Sequence, residues 1–322
     1  MILVMGGAGY IGSHTVKYLL AHGEKCVVAD NLSYGHREAV DERADFVLAD
    51  LADKDSLREV FETYPIDAVI HFAAFAYVGE SVQDPKKYYQ NNVAGTLNLL
   101  DVMLEHDVRK IVFSSTCATY GEPVYTPIDE NHSQNPINPY GKTKLMIEDI
   151  FQDYAKAYGL KYIALRYFNA AGCSSDGSIG ENHDPETHLI PLVLQAIQGK
   201  RPDIKVFGTD YDTPDGTCIR DYIHVEDLAQ AHYLAVRKLD EYSGCLNLGT
   251  GIGTSVMEII KAAEKVSGFP CPVTIATRRE GDPARLFADN KKAKQILNWT
   301  PVYTSVEDIV KTAWTWENNR RF

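Results

Sequence analysis

The sequence lacks the cysteine pairs and short catalytic signatures that mark several common classes of protein. Its six cysteines are scattered, with no C-x-x-C pair: Cys26, Cys117, Cys173, Cys218, Cys245 and Cys271. This spacing argues against a disulfide framework or a thiolate zinc site, and it favours reduced thiols in a cytoplasmic protein. H-E-x-x-H, Walker A and G-x-S-x-G motifs are also absent. We therefore predict no metal, no P-loop phosphoryl transfer and no serine-hydrolase chemistry.

Long apolar runs and an excess of basic charge are absent too. The longest apolar stretch, at 68–78, has 11 residues and contains a histidine, which is too short to span a bilayer. The chain opens on a strand-like ILVM with no basic segment or cleavage site, so we expect no signal peptide. With 32 basic and 44 acidic side chains, the formal charge is -12. This argues against nucleic acid and anionic membranes as partners, and an anionic ligand would need individually placed arginines.

Short β-branched runs alternate with helical segments through the first half of the chain. We predict strands at 2–5, 26–30, 45–50, 68–74, 110–116 and 162–168. We predict helices at 12–22, near 55–63, at about 85–106 and after Tyr140. This alternation is typical of an α/β protein with a Rossmann-like, doubly wound parallel sheet.

The composition changes near residue 175, where Gly, Pro, Asp and Asn crowd 174–187 and later 208–217. We therefore predict a nucleotide-binding domain over 1–175 and a smaller C-terminal substrate-binding lobe over 176–322. The strand-like CLNLG at 245–249 can rejoin the first sheet, so the two units need not be contiguous in sequence. Open α/β sheets bind ligands at the carboxyl ends of their strands, and we expect the lobe to cover that edge.

The segment GGAGYIG at 6–12 follows a strand and opens a helix. Gly6 permits a tight turn, Gly9 lets a pyrophosphate approach the backbone, and Gly12 allows the helix to pack closely on the sheet. Asp30 ends the next strand, 18 residues after Gly12. Its carboxylate suits ribose hydroxyls and would repel a 2′-phosphate, which favours NAD over NADP. The bland alternative is a glycine-rich turn beside a surface aspartate.

Two further strand ends are candidate cofactor contacts. Asp50 could accept a hydrogen bond from the adenine amino group while Leu51 covers the ring, although an ordinary N-cap aspartate explains Asp50 equally well. The small residues Ala73 and Ala74 after Phe72 would let a dinucleotide lie close, but a plain buried strand end would look the same.

A tyrosine and a lysine one helical turn apart suggest a proton-transfer site. Tyr140 and Lys144 lie on one helix face, and the strand KIVFSST delivers Ser114 and Thr116 to its carboxyl end. Tyrosine has a pKa near 10 and is a poor base at pH 7. A nearby ammonium and the positive nicotinamide ring could lower that pKa, and the Thr116 hydroxyl could bond the same substrate oxygen. Tyr-x-x-x-Lys alone also occurs by chance in many helices.

Together these motifs resemble the UDP-glucose 4-epimerases (UDP-galactose 4-epimerases) of the extended short-chain dehydrogenase/reductase family, over essentially the whole chain. The matching segments, in order, are GGAGYIG, DNLSYGH, HFAAFAYVGES, YYQNNVAGTLNLL, FSSTCATYG, PYGKTK, LRYFNAAG, HLIPL, VFGTDYDTPDGTCIRDYIHVEDLA, NLGTG and RREGDPA. The resemblance implies that Tyr140 takes the proton from the sugar 4-hydroxyl while hydride passes from C4 to NAD⁺. Thr116 assists, and Lys144 holds the nicotinamide ribose. The 4-keto sugar then turns over, and the hydride returns to its opposite face.

The resemblance also implies the remaining ligand contacts. The NAD-contact positions would be Gly6, Gly9, Tyr10, Ile11, Gly12, Asp30, Asn31, Leu32, Ser33, Tyr34, Gly35, Asp50, Leu51, Phe72, Ala73, Ala74, Ala76, Asn91, Ser114, Tyr140, Lys144 and Phe168. The UDP-sugar positions would be Thr116, Tyr140, Asn169, His188, Leu189, Lys205, Val206, Phe207, Arg220, Tyr222, Arg279 and Asp282. Taken by itself, Arg220 beside Asp221 would more often be a local ion pair.

The chain departs from the patterns of its relatives at four places. Cys117-Ala118 replaces the Asp-Glu pair of the 4,6-dehydratases, so the acid and base for water loss are missing. His188 stands where some members have asparagine, and Ala76 where better-known members have lysine. Leu286 aligns with a tyrosine that narrows the sugar pocket in some members, which suggests that N-acetylated substrates such as UDP-N-acetylglucosamine also fit.

Three functional hypotheses follow. The leading one is an NAD-dependent UDP-hexose 4-epimerase, with a UDP-N-acetylglucosamine or bifunctional enzyme as its variant. The others are a sugar-nucleotide oxidoreductase that releases NADH and a non-catalytic NAD-sensing regulator. Helices equivalent to 85–106 and 140–158 pair across a two-fold axis in this family, so a homodimer is expected.

Overall fold

The secondary structure comes from a computed structural model that describes residues 1–279 and 281–322. The strands are β1 (Ile2–Met5), β2 (Cys26–Asp30), β3 (Asp45–Leu48), β4 (Ala68–His71), β5 (Lys110–Thr116), β6 (Lys161–Tyr167), β7 (Asn169–Ala171), β8 (Ile204–Phe207), β9 (Ile219–His224), β10 (Gly244–Leu248), β11 (Gly253–Ser255), β12 (Val273–Ala276) and β13 (Arg285–Leu286). The helices are α1 (Tyr10–Ala21), α2 (Lys54–Thr63), α3 (Val78–Gln83), α4 (Pro85–Tyr88), α5 (Gly95–Glu105), α6 (Pro139–Tyr158), α7 (Leu189–Ile197), α8 (Val225–Lys238), α9 (Val256–Ser267), α10 (Lys291–Leu297) and α11 (Val306–Asn318).

Seven parallel strands form the main sheet, in the order β10-β6-β5-β4-β1-β2-β3. The chain builds outward from β1 to β3, then returns to the other side of β1 and continues from β4. The strand order therefore reverses between β1 and β4, and a crevice forms at the carboxyl ends of strands at such a point. The Rossmann-like, doubly wound fold predicted from the sequence is confirmed.

Both faces of this sheet are covered, which explains why its central strands are apolar without interruption. Ile2 and Val4 of β1 point to one face, where they join a core that α1 and α8 cover. Leu3 and Met5 point to the other face, whose core includes side chains of α2, α5 and α6. Each side chain therefore follows the two-residue alternation of a strand.

The predicted long helix over 85–106 is interrupted in the structure. A π-helical segment, Tyr89–Ala94, separates α4 from α5. The buried Asn92 lies within it, and its side-chain amide donates to the Phe75 carbonyl at 3.0 Å and accepts from the Phe75 N–H at 2.9 Å. Extra-wide turns of this kind are frequent at functional sites. Here the turn places an amide against the loop that follows β4.

The chain after residue 175 contributes both to the main sheet, with its covering helices, and to a second unit. Strand β10 pairs with β6 at the edge of the main sheet, and residues of α8 and α10 belong to the core on one face of that sheet. A second unit contains the small sheets β11-β9-β13, with β7 on β9, and β12-β8. Its core lies between α7, α9 and α11. Among the described residues, no helix is both long and apolar enough to cross a membrane.

Candidate active site

The glycine loop lies where β1 meets α1, at the strand-order reversal. Gly6 has φ +81°, and a Cβ there would lie 2.5 Å from the Ala73 nitrogen. A Cβ on Gly12 would lie 2.3 Å from the Gly6 carbonyl oxygen, so both positions require glycine for the protein's own packing. At Gly9 a Cβ would meet only the Gly6 oxygen at 3.5 Å, an ordinary contact. The bare backbone at Gly9 therefore leaves room for a ligand at the start of α1.

Asp30 lies beside this loop and is already oriented by the backbone. Its carboxylate accepts from the Ala8 N–H at 2.9 Å and from the Leu32 N–H at 2.8 Å. Burial raises the pKa of Asp30, and these two hydrogen bonds oppose that rise. Asp30 is thus a fixed acceptor at the end of β2, where a ribose would lie in a Rossmann site.

Asp50 is not the N-cap of the following helix, so that alternative is wrong. Helix α2 begins at Lys54 and is capped by Asp53, whose side chain accepts from the Asp55 and Ser56 N–H groups. Asp50 instead accepts from the Asn31 side-chain amide at 2.8 Å and from the Ala52 N–H at 2.8 Å. These bonds hold it at the rim of the cleft.

A cleft at this edge brings together more than half of the predicted cofactor positions. Those that line it are Gly6, Gly9, Asp30, Asn31, Ser33, Tyr34, Gly35, Leu51, Phe72, Ala73, Ala74 and Asn91. Phe75, between the predicted positions Ala74 and Ala76, lines it too. Met5 and Ala49 line it as well and were missed, because nothing in the sequence distinguishes them from other buried residues in or next to strands. The positions outside the lining are Tyr10, Ile11, Gly12, Leu32, Asp50, Ala76, Ser114, Tyr140, Lys144 and Phe168.

Ala76 is exposed, and Lys87 of α4 contacts Phe75, the residue that precedes it. The Lys87 ammonium is 4.1 Å from the Phe75 ring centre and donates to the Tyr34 hydroxyl at 3.1 Å. Both of these aromatic residues line the cleft. Lys87 also bonds Glu80 at 2.6 Å, so its charge is partly compensated. Sequence reasoning missed Lys87 because it lies eleven positions from Ala76.

Tyr140 and Lys144 enter the site from the first turns of α6. Asn138 caps the helix by accepting from the Gly141 N–H at 2.8 Å, and Pro139 occupies the first turn, a position that proline favours. The Lys144 ammonium donates to the Ser114 carbonyl at 2.8 Å and lies 5.8 Å from the centre of the Tyr140 ring. The helix start therefore sets the tyrosine and lysine against the carboxyl end of β5.

Burial shifts both ionisable groups of this pair toward their neutral forms. It raises the pKa of Tyr140 to about 12, with the Thr116 hydroxyl opposing the rise. It lowers the pKa of Lys144 to about 7, while the Glu148 carboxylate acts in the opposite direction. The lowered pKa predicted for Tyr140 from the sequence depended on a cationic nicotinamide ring beside the tyrosine. The chain alone does not produce that effect, because desolvation outweighs the nearby groups.

A buried polar network lies behind the pair and was not found from the sequence. Glu148, one turn beyond Lys144, accepts from the Arg166 guanidinium at 2.9 and 2.5 Å and from the Ser115 hydroxyl at 2.5 Å. Arg166 also donates to the Tyr120 hydroxyl at 2.9 Å. These bonds join α6 to β5 and β6. They hold the helix face that carries the tyrosine and lysine in one position.

Arg220 does not pair with Asp221, so the local ion-pair alternative is wrong. Its guanidinium pairs with Asp282 and donates to the carbonyls of Ile219, at 2.7 Å, and Pro283, at 2.9 Å. Asp221 instead accepts from the Thr250 hydroxyl and from backbone N–H groups. Two of the predicted UDP-sugar residues, Arg220 and Asp282, are thus in direct contact.

The other predicted UDP-sugar positions divide into accessible and buried groups. Arg279 lies 4.0 Å over the Phe207 ring centre, and Lys205 is exposed. The side chains of Val206 and Tyr222 lie in the second unit's core, so their contact with the UDP-sugar stays a prediction. The Asn169 amide donates to the Asp221 carbonyl at 3.0 Å, beside Arg220 on β9.

Both the imidazole and the backbone N–H of His188 already contact glutamate carboxylates. Its Nδ1 lies 2.7 Å from Glu181 Oε1, and its N–H donates to Glu186 Oε1 at 2.8 Å. Partial desolvation of the ring acts to lower the pKa of His188, but these two carboxylates raise it to about 10. The predicted backbone contact from His188 therefore competes with Glu186. Leu189, the first residue of α7, is the next position whose N–H faces out of a helix N-terminus.

The comparisons with known proteins agree with this arrangement. Residues 2–249 match the NAD dependent epimerase/dehydratase family. A UDP-glucose 4-epimerase of Halalkalibacterium halodurans is 57% identical over 98% of this chain and 95% of its own length. The crystal structure of UDP-glucose 4-epimerase from Brucella ovis in complex with NAD has a TM-score of 0.94 and 54% identity, and covers 97% of this chain and 96% of its own. The UDP-Glc/GlcNAc 4-epimerase from Campylobacter jejuni has a TM-score of 0.87 and 44% identity, with 98% of each chain covered.

NAD is the cofactor of this family, and the residues present fit it. The bare backbone at Gly9 lies at the positive end of α1, and the Asp30 carboxylate ends the neighbouring strand, as a dinucleotide requires. The chain belongs to the NAD dependent epimerase/dehydratase family.

Proposed function

We propose that this chain catalyses the interconversion of UDP-glucose and UDP-galactose by NAD-dependent inversion at C4 of the hexose. The observation that carries the proposal is the placement of Tyr140 and Lys144 at the carboxyl end of β5, in the same parallel sheet as the glycine loop, with Cys117 and Ala118 after Thr116. No carboxyl pair follows the threonine to drive elimination of water. The similar proteins named above are UDP-sugar 4-epimerases, which supports the same assignment.

Tyr140 acts as the base toward the sugar 4-hydroxyl. With a pKa of about 12 in the chain alone it is a phenol at neutral pH, so positive charge must stabilise its phenolate form in the loaded site. Lys144 supplies part of that charge: ionisation of the tyrosine would favour the protonated lysine, and each would support the charged form of the other. When bound, NAD would supply the hydride acceptor and donor for C4 of the sugar. The sugar would pass through a 4-ketone. Thr116 completes the site as a hydroxyl partner for the 4-oxygen.

The UDP half meets the second unit. Arg220 and Arg279 are the cations for the pyrophosphate, with the N-terminus of α7 at Leu189 as a further anion site. Asp282 now neutralises Arg220, and the phosphate must compete with this carboxylate. Lys205 and Phe207 border the uridine. On this basis we propose that the second unit, interleaved with the first in sequence, is the UDP-sugar lobe.

A coupled assay tests the activity. The purified protein is given UDP-galactose with no added NAD, and UDP-glucose is measured through UDP-glucose dehydrogenase after the epimerase has been removed by filtration. We expect product to form over many turnovers, because the cofactor is regenerated in each cycle. Net accumulation of NADH in proportion to product, or a requirement for added NAD, would instead favour a dehydrogenase. No turnover of either sugar nucleotide would support a regulator.

N-acetylated sugars are a second candidate substrate class. Leu286 is partly buried and packs against a small apolar cluster that includes Tyr120 and Phe168. A leucine is shorter than the tyrosine that narrows the pocket in some relatives, so more room remains beside the sugar. The similarity to an enzyme described as a UDP-Glc/GlcNAc 4-epimerase favours the same breadth here. A rate with UDP-N-acetylglucosamine more than about 100-fold below that with UDP-glucose would exclude N-acetylated sugars as substrates. Such a ratio corresponds to a difference of about 3 kcal/mol in how well the pocket accepts the two sugars.

We further propose that the protein is a homodimer built on α5 and α6. Apolar side chains on these helices remain partly or largely exposed, among them Leu97, Met146 and Ile150. Sedimentation equilibrium at the mass of one chain, 35.9 kDa, would contradict it. All six cysteines are free thiols, which supports the cytoplasm as the compartment.

A further inference from the structure

Four potential metal ligands lie close together in the segment between β7 and α7. Glu181, His183, Glu186 and His188 follow the spacing E-x-H-x-x-E-x-H, and one ligand atom from each lies within 4.8 Å of all the others. This spacing is neither a cysteine pair nor H-E-x-x-H, so those two motifs do not reveal it. The segment belongs to no strand, and its last ligand precedes the first residue of α7.

The His–Glu distances within this His/Glu cluster, from 2.7 to 3.6 Å, lie on either side of the separation between ligands of a tetrahedral ion. Glu181 Oε1 lies 2.7 Å from His188 Nδ1 and 3.3 Å from His183 Nδ1. Glu186 Oε1 lies 3.2 Å from His188 Nδ1, and Glu186 Oε2 lies 3.6 Å from His183 Nδ1. Ligands about 2.0–2.1 Å from a zinc ion at tetrahedral angles are separated by about 3.3 Å. Two imidazole nitrogens and two carboxylate oxygens can therefore surround one ion with little movement.

Three buried polar atoms of the cluster lie close to groups of opposite charge, yet these contacts lack hydrogen-bond geometry. Glu181 Oε1, His183 Nδ1 and Glu186 Oε2 are buried and have no hydrogen-bond partner of acceptable geometry. The Glu181 side chain is only 6% exposed. Unpaired buried polar atoms are uncommon because each one costs free energy. Three of them within 4.8 Å of one another indicate a ligand that hydrogen bonds within the protein do not replace.

The surroundings hold these ligands in place. The Glu186 Oε1 atom accepts from the N–H groups of Thr187, at 2.7 Å, and His188, at 2.8 Å, which leaves Oε2 to face His183. The carbonyl of Glu181 accepts from the Trp316 indole at 2.7 Å. Hydrogen bonds that orient metal ligands in this way are a regular feature of metal sites.

We propose that the His/Glu cluster is a structural binding site for one divalent transition-metal ion of the zinc class. Imidazole nitrogens select zinc and its first-row neighbours over calcium and magnesium, which prefer oxygen alone. Two carboxylates balance the charge of a dication. Four protein ligands leave no open position for a substrate, so the ion stabilises structure and takes no part in the reaction.

The position of the cluster indicates what the ion would stabilise. The His183 ring lies with its centre 6.1 Å from that of Tyr10, at the start of α1, and 6.3 Å from that of Tyr77. The Asn182 carbonyl lies 3.2 Å from His36 Nε2. An ion in the cluster would therefore pin segment 181–188 against the elements that flank the cofactor cleft.

Metal stoichiometry tests the proposal without substrate and does not depend on the proposed reaction. Untagged protein is treated with chelator, dialysed to equilibrium against buffered Zn²⁺, and its metal content is measured by mass spectrometry. We expect about one Zn²⁺ per chain in the wild type. We expect the same in His22→Gln, which removes an exposed histidine outside the cluster. Glu186→Gln keeps the size and a carbonyl acceptor for the two N–H groups but removes the charge, and it should lose the ion. His183→Gln should lose it too.

Two measurements keep the test decisive if a variant is unstable. Co²⁺ bound to the wild type should give the intense visible absorption of a tetrahedral site, and Zn²⁺ should raise the wild-type Tm by more than about 2 °C. Binding of equal strength in Glu186→Gln would overturn the proposal. A wild type that binds no Zn²⁺ and gives only the weak spectrum of hydrated Co²⁺ would also overturn it, and protonated histidines paired with the two glutamates would then explain the cluster.

Discussion

The Lys144 ammonium donates a 2.8 Å hydrogen bond to the backbone carbonyl of Ser114. This contact joins the first turns of α6 to the last residues of β5, the two elements that carry Tyr140 and Thr116. It also fixes a cation whose burial weakens its hold on a proton, since the pKa of Lys144 falls to about 7. The site is therefore preorganised in geometry, while its charge state depends on what binds.

Replacing the proposed base should abolish turnover without unfolding the protein. Tyr140→Phe removes only the hydroxyl, and we expect kcat to fall by about 1,000-fold, within the range typical for loss of a general base. Tyr158→Phe, an exposed residue at the end of the same helix, should leave kcat unchanged. The coupled assay measures both. Retention of more than about a tenth of the activity in Tyr140→Phe would contradict the assigned role.

The buried lysine should make stability rise with pH. The pKa of Lys144 falls from its ordinary value of 10.5 to about 7 in the folded chain. Between these values the unfolded chain binds more protons, so the free energy of unfolding increases as pH rises from 7 toward 10.5. The full shift corresponds to roughly 4 to 5 kcal/mol.

Urea unfolding at pH 7 and pH 9.5 measures this dependence. Lys144→Met removes the titrating group, so the free energy of unfolding of the wild type should increase relative to that of the variant as pH rises. A difference between the two proteins that stays constant with pH would show that Lys144 keeps its proton in the folded chain. Above pH 10 the opposite trend should begin, because the pKa of Tyr140 is raised to about 12 and only the unfolded chain ionises there.

The buried ion pair behind the active site should be costly to break from one side. Glu148→Gln leaves the Arg166 guanidinium buried without its carboxylate, and we expect a loss of about 3 kcal/mol or more in the free energy of unfolding. Replacing both residues with Met should recover much of this loss. As a control, Glu307→Gln breaks an exposed pair with Lys265 and should cost less than about 1 kcal/mol. Similar costs for the two single variants would contradict the assigned burial.

Lys87 should contribute to cofactor retention in place of the lysine that better-known members of the family carry at the position of Ala76. Lys87→Met removes an ammonium that contacts Tyr34 and Phe75 on the cleft wall. We expect NAD to bind about 10-fold more weakly to Lys87→Met. The attraction between a partly compensated lysine ammonium and the pyrophosphate dianion of NAD is worth about 1.4 kcal/mol. Lys86→Met changes the exposed neighbour and should have no effect. Isothermal titration of NAD into cofactor-free protein measures both, and equal affinities would exclude the role.

The pocket residue Leu286 should control which sugars fit. Leu286→Tyr adds a ring beside the apolar cluster of Tyr120 and Phe168. We expect turnover of UDP-N-acetylglucosamine to fall by at least about 100-fold while that of UDP-glucose changes by less than about 5-fold, since a clash acts only on the larger substrate. A parallel fall for both substrates would show that the residue serves folding instead of selection.

The sequence alone determined the features that rest on local periodicity and short spacing. Alternating apolar strands and helices predicted the doubly wound sheet, and the glycine spacing with Asp30 predicted the NAD cleft. Tyr140 and Lys144 were predicted as a pair because four residues are about one turn of any helix. These patterns are properties of neighbouring residues, so they can be recognised before the chain is folded.

Only the tertiary structure decided which distant groups meet. Arg220 pairs with Asp282, which is 62 positions away in the sequence, and not with the adjacent Asp221. Glu148 of α6 pairs with Arg166 of β6. The sequence allowed residues 245–249 to rejoin the first sheet, and the structure places β10 at its edge, beside β6. The π-helical turn places Asn92 against the loop after β4. Such pairings depend on how sheets, helices and loops pack in three dimensions, and no local pattern encodes the partner of a buried charge.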